Sequence, residues 1–373
     1  MWVEANKNLA DIPRYKPGLP IEEAKRKLKL KRVVKLASNE NPFSPSPLVV
    51  REIRKYAANI NRYPESNCFY LRRAICRKMR IKESHIIFGN GSDEIITLAL
   101  RAFVREGDEV IIGEPTFLIY KIQSLACGAR LVIVPHKEYT YDLNSIKKKI
   151  TPRTKIIFIA NPENPLGTYI NSQRVRNFLE SVPSSVLVFF DEAYFEFAPS
   201  DFPRTLEFIK RGRKNIIFTR TFSKAYALAG LRIGYGIASR EIIENLQKVR
   251  EPFNVNSLAQ KAALAAMQDG KWLRKIIDYI KNEKKFLYHS LDKIGLFYIR
   301  SATNFIIIST LPRKNVASLL LKKGVIVRDM SNWGMRGFIR VSVGKRRENL
   351  AFLKALKEIW PVKKRDYAKR RKK

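Results

Sequence analysis

The chain has 373 residues, 45% of them hydrophobic, and carries 72 Lys plus Arg against 34 Asp plus Glu, a formal net charge of +38 at pH 7. That length can bury a large core and favours two lobes over one unit, and apolar runs recurring along it exclude a disordered chain. No run approaches the ~18 apolar residues of a membrane span, and the opening MWVEANKNLA holds no hydrophobic signal region, so no membrane role and a cytoplasmic location are expected.

Residues 1–45, rich in proline and turn formers, show no sheet of their own and are expected to pack on a C-terminal lobe. Apolar runs then follow in HIIFGNGSDE (85–94), EVIIGEP (109–115), LVIVP (131–135), KIIFIANPENPLG (155–167), VLVFFDEAYFEF (186–197) and NIIFTRTFSK (215–224). Their unalternated apolar character suits strands covered on both faces, with helices supplied by 92–104, 117–127, 171–181 and 240–249. An α/β domain with a mostly parallel sheet is expected over 46–280. Beyond the long helical stretch that begins near 272, the strand-like NFIIIS, GVIVRDM and GFIRVSVG and the helical ENLAFLKALKEIW predict a smaller α+β domain over 281–361. A basic tail, 362–373, is expected to fray.

Cys68, Cys76 and Cys127, like His85, His136 and His289, lie singly, so neither a metal site nor a disulfide framework is expected. The positive field attracts anions. Because basic residues are spread along the chain, with concentrations only at 25–32 and 363–373, a solvated basic face and anionic small substrates are favoured over a specific nucleic-acid surface.

In open α/β sheets ligands gather beyond the carboxyl ends of the strands, where Gly91, Asn164, Asp191 and Lys224 fall by sequence order. The turn GNGSDE can hold phosphate on the amides of Gly91, Ser92 and Asp93, or can be a plain strand-to-helix turn. Asp191 can cap a helix, join an ion pair, or partner a protonated ring nitrogen. Asn164, between two prolines, can be a turn former, and Phe117 either a core residue or the cover of a ring face. Lys224, in a small-residue segment eight places before Arg232, has the character of a covalent attachment point for a cofactor.

Taken together these stretches resemble the fold-type I pyridoxal-phosphate transferases, and within them the histidinol-phosphate aminotransferase family. The resemblance covers nearly the whole chain. It rests on YKPGLP (15–20), KLASNENPF (35–43), NRYPES (61–66), GNGSDEII (89–96), NPENPLG (161–167), DEAYFEF (191–197), TFSKAYALAGLRIGYG (221–236) and PFNVNSLAQ (252–260), then on NFII (304–307), GVIVRDM (324–330) and IRVSVG (339–344). It implies pyridoxal 5'-phosphate joined to Lys224, with Asp191 at the ring nitrogen, Asn164 and Tyr194 at the ring hydroxyl and Phe117 on the ring face. The cofactor phosphate is then held by Gly91, Ser92, Asp93, Thr221, Ser223 and Arg232, and by Tyr63 from the second chain of a homodimer. Tyr15, Asn39, Arg328 and Arg340 match the substrate-binding positions. The implied reaction is amino transfer between histidinol phosphate and 2-oxoglutarate. Threonine-phosphate decarboxylation and aromatic amino-acid transamination are the alternatives within the family, and polyanion binding is the non-enzymatic one. Two positions depart from the family's usual pattern: Glu163 precedes Asn164, and Leu166 follows Pro165.

Overall fold

The computed structural model describes residues 3–10, 12, 18–29 and 32–360. Tyr15 and the basic segment 362–373 lie outside the described residues. The strands are β1 (Val34–Lys35), β2 (Ile86–Gly89), β3 (Glu109–Glu114), β4 (Arg130–Pro135), β5 (Thr154–Ala160), β6 (Leu187–Asp191), β7 (Ile216–Thr221), β8 (Gly234–Ala238), β9 (Tyr298–Ile299), β10 (Phe305–Ser309), β11 (Val325–Ile326), β12 (Arg328–Asp329) and β13 (Phe338–Ser342).

Contacts divide the chain into two units. The larger holds the described residues within 1–15, 43–277 and 301–303, the smaller those within 16–42, 278–300 and 304–373. The chain passes between them inside the helix Gly270–Ile294. The sequence reading assigned all of 1–45 to the smaller lobe. The described residues up to 12 instead group with the larger unit, where Lys7 pairs with Glu106 at 2.9 Å.

The larger unit is built on a seven-stranded sheet in the order β2-β8-β7-β6-β5-β3-β4. Strands β3 to β7 pair in parallel, while β8 runs antiparallel to both β7 and β2. Six strands therefore point one way and present their carboxyl ends along one edge. The reason is visible in the side chains, which alternate between two apolar layers. Ile157, Ile159, Val188, Phe190 and Phe218 enter one core, and Ile156, Phe158, Leu187, Phe189 and Ile217 the other. A sheet buried on both faces needs the continuous apolar runs seen in the sequence. Gly234 opens β8 because a Cβ there would lie 2.6 Å from the Ser92 backbone nitrogen, so only glycine lets this strand pass the start of the helix Ser92–Phe103.

The smaller unit has an antiparallel sheet in the order β12-β13-β10-β9 and a two-residue parallel pair, β1 with β11. The N-terminal segment, expected to carry no strand, thus contributes β1. Among the described residues no helix is long and apolar enough to cross a membrane.

Candidate active site

Five strands of the larger unit lead to residues singled out from the sequence: β2 leads to Gly91, β3 to Phe117, β5 to Asn164, β6 ends on Asp191, and β7 leads to Ser223 and Lys224. The parallel sheet gathers these ends on one edge.

Gly91 stands at the amino end of the helix Ser92–Phe103 with φ +82°, a left-handed backbone that favours glycine. A Cβ there would come within 2.4 Å of Arg232 Nη2. Arg232 Nη1 donates to Ser223 Oγ at 3.3 Å and Nη2 to Asp93 Oδ2 at 3.3 Å. Thr221 Oγ1 donates to Ser223 Oγ at 3.0 Å and accepts from the Ser223 amide at 3.1 Å. A helix amino end, two hydroxyls and a guanidinium converge here, a set of donors that could hold a tetrahedral anion.

Asp191 is buried. Tyr120 donates its hydroxyl to Asp191 Oδ2 at 2.8 Å, and the Ala193 amide donates to Oδ1 at 3.1 Å. Burial pushes the Asp191 carboxyl up to about 6, against the downward pull of the Tyr120 hydrogen bond, the Ala193 amide and the positive charge of Lys224. Tyr120 is itself fixed by stacking on Phe158, centroids 4.8 Å apart, and by the edge-on ring of Phe117 at 5.6 Å. The spacing of Phe117 and Tyr120, three residues apart at the start of a helix, is the only signal by which the sequence could have shown this partner.

Lys224 is half-buried, with Nζ 5.7 Å from the centroid of the Tyr194 ring. Tyr194 is buried, and Asn164 is half-buried on a loop whose start is clamped by Asn161, which donates to the Ile170 carbonyl at 3.1 Å and accepts from its amide at 2.8 Å. Tyr63 is 83% exposed and stacks on Phe253 with centroids 4.8 Å apart.

In the smaller unit, Arg328 on β12 and Arg340 on β13 are register partners. Both guanidinium carbons face the Trp333 ring, at 5.1 and 5.7 Å. Arg340 is 7% exposed, lies 5.2 Å from the Phe305 ring centroid, and donates through Nη2 to the Ala37 carbonyl at 3.4 Å. Like charges set directly across a strand pair repel, and an anion shared between the two arginines relieves that repulsion. Asn39, left-handed at φ 54°, donates its amide to Ser342 Oγ at 2.8 Å and accepts at its carbonyl from Asn304 Nδ2 at 3.0 Å. Asn304 was not singled out from the sequence, where it reads as the polar start of an apolar strand.

Residues 31–356 match the family model described as aminotransferase class I and II. The histidinol-phosphate aminotransferase of Moorella thermoacetica is 43% identical over 353 residues, 94% of this chain and 92% of that one. That of Caldicellulosiruptor saccharolyticus is 42% identical over 350 residues, 93% and 98% of the two chains. Among solved structures, the histidinol-phosphate aminotransferase of Sinorhizobium meliloti in complex with pyridoxal-5'-phosphate superposes with a TM-score of 0.84 at 27% identity, covering 95% of this chain and 98% of that one.

Proposed function

The chain belongs to the class I and II aminotransferases, and from that premise we propose that it exchanges an amino group between L-histidinol phosphate and 2-oxoglutarate, giving imidazole acetol phosphate and glutamate. The observation that carries this reading is identity above 40% with histidinol-phosphate aminotransferases over nearly the full length of both chains.

The residues present fit pyridoxal 5'-phosphate. The anion site at Gly91, Ser92, Asp93, Thr221, Ser223 and Arg232 suits its phosphate. The buried Asp191, raised toward neutrality by that burial, suits a protonated ring nitrogen. When bound, the cofactor supplies an electron sink for the carbon that gives up its proton. Lys224 would provide the covalent attachment, and its free amine would carry the proton taken from the substrate carbon. Asp191 keeps its charge beside the ring nitrogen, and Tyr120 holds that carboxylate in place by its 2.8 Å hydrogen bond. Asn164 and Tyr194 would hold the cofactor at its ring hydroxyl, and Phe117 would pack against its ring. Arg340 and Arg328, with Asn39 and Tyr15, take the substrate's anionic groups. A guanidinium fork accepts phosphate and carboxylate alike, as two successive substrates of unlike shape require.

Tyr63, exposed on its own chain, is assigned to the partner's cofactor phosphate in a homodimer, and the cell compartment is the cytoplasm. The ligands are small anions, with no specific nucleic acid and no membrane. A substrate panel tests the reading: glutamate forms fastest from histidinol phosphate with 2-oxoglutarate. Carbon dioxide released from threonine phosphate, or faster turnover of phenylalanine, overturns it.

A further inference from the structure

The loop that presents Asn164 also buries a carboxyl that the reaction does not use. Glu163 is 1% exposed, and neither of its oxygens has a partner in strict hydrogen-bond geometry. Its backbone is fixed, since its amide donates to the Thr168 carbonyl and its carbonyl accepts from the Gly167 amide, both at 2.8 Å.

The groups facing it come from every strand end around it. Thr116 follows β3, Tyr141 follows β4, Asp191 ends β6, and Tyr120 lies on the helix Leu118–Ala126. The Tyr141 hydroxyl accepts from the Ala160 amide at 2.9 Å and lies 3.2 Å from Thr116 Oγ1. Beyond Tyr141 stands His136, ring centroids 4.4 Å apart, which burial pushes down to about 4, so its imidazole is neutral. Arg174 meets Tyr141 only at its carbonyl, 3.0 Å away, and the pull of Lys224 acts on Asp191. Among the described residues, none of these groups facing Glu163 is a cation paired with it.

A buried carboxylate without a cation is costly, and two carboxyls in one buried site do not both ionise readily. Burial and the charge of Asp191 both push the Glu163 carboxyl upward, well above the usual range, against hydrogen bonding from Tyr141 and Thr116.

We propose that Glu163 is a positioning residue of the amino-transfer site, a neutral carboxylic acid that leaves the negative charge to Asp191 and holds the Asn164 loop through the Tyr141 and Thr116 hydroxyls. A neutral acid can pair with a hydroxyl in either sense, accepting at its carbonyl oxygen and donating from its O–H, where a carboxylate can only accept and keeps the cost of a buried charge. The role rests on the amino-transfer reading; the protonation state does not.

The test compares the full-length wild type with Glu163→Gln and Glu163→Ala. Infrared difference spectra, wild type minus Glu163→Gln, are taken between about pH 6 and pH 8 with and without cofactor. They show the protonated-carboxyl C=O stretch of Glu163, and a carboxylate band in its place overturns the proposal. In the loaded enzyme Glu163→Gln, which still donates and accepts, keeps kcat within about threefold, while Glu163→Ala loses about tenfold or more in kcat with KM less affected. Equal damage from the two substitutions overturns the positioning role even where the alanine variant folds poorly, because the isosteric glutamine variant carries the comparison. If no variant turns over any amino donor, the amino-transfer reading has failed, and the infrared band still decides the protonation of Glu163.

Discussion

Replacing Asp191 by asparagine should make the cofactor-free protein more stable at neutral pH and remove most of its activity once loaded. The Asp191 carboxyl is pushed from 3.8 up to about 6 in the fold, and each tenfold in a proton equilibrium is worth about 1.4 kcal/mol. A carboxyl whose folded value is raised costs nothing below its unfolded value, and stability is then lost as pH rises through the window from 3.8 to about 6. The cost works out at about 1 kcal/mol at about pH 4.5 and about 3 kcal/mol at about pH 7.5. Asparagine escapes that cost but has one acceptor oxygen where the carboxylate uses two, for Tyr120 and Ala193, a loss of about 1 kcal/mol. The two proteins should therefore match near pH 4.5, and Asp191→Asn should lead by about 2 kcal/mol at about pH 7.5. Urea unfolding of the cofactor-free proteins at both pH values measures the difference. An asparagine variant that gains nothing between the two would refute the idea that Asp191 is held ionised at a cost. With cofactor bound, kcat should fall by more than about tenfold, because a neutral amide no longer favours the protonated ring.

Gly91→Ala should weaken cofactor binding by about tenfold or more, since its Cβ would displace Arg232 and the left-handed backbone disfavours alanine; equilibrium titration of the visible absorbance measures it. Arg220→Ala should cost about 3–5 kcal/mol in denaturant unfolding, because Arg220 pairs with the buried Glu192 at 2.9 Å and its guanidinium carbon lies 3.2 Å from the Phe195 ring centroid. Mixing inactive Lys224→Ala with impaired Tyr63→Phe, under conditions where chains exchange, should raise activity toward that of one intact site per dimer if Tyr63 serves the neighbouring chain. Activity that stays at the level of the parents despite exchange speaks for a tyrosine serving its own chain.

The parallel strands of the larger unit were legible because burial on both faces demands uninterrupted apolar runs, and the runs of β3, β5, β6 and β7 lead into residues with chemistry to offer. Strand β8 was harder to read: GYGIA carries two glycines where a strand signal wants bulk, and its meaning lies in how closely it passes the start of the helix Ser92–Phe103. Strand β1 is two residues long and exists only through its pairing with β11, a contact no local pattern encodes. Arg328 and Arg340 could each be named from sequence, but their facing register could not, because it depends on how β12 meets β13. Tyr120 reads as an ordinary core aromatic, and only the fold shows its hydroxyl aimed at Asp191.

The buried acids around β5 and β6 are handled in different ways. Glu192 is neutralised by Arg220, an arrangement that stabilises the fold without exposing charge to a ligand. Among the described residues, Asp191 takes hydrogen bonds from a hydroxyl and an amide, and the groups facing Glu163 include no cation paired with it. A chain optimised for stability alone would fill those two positions with apolar or amide side chains. Retaining Asp191 makes sense where a bound cation later completes the site, because a ligand that binds only the folded state returns stability by mass action. On the proposed reading the buried carboxyl of Asp191 is the counterpart of a positively charged ring nitrogen. The energetic cost of the site and its affinity for the cofactor then have the same origin, so a substitution that relieves the first should weaken the second.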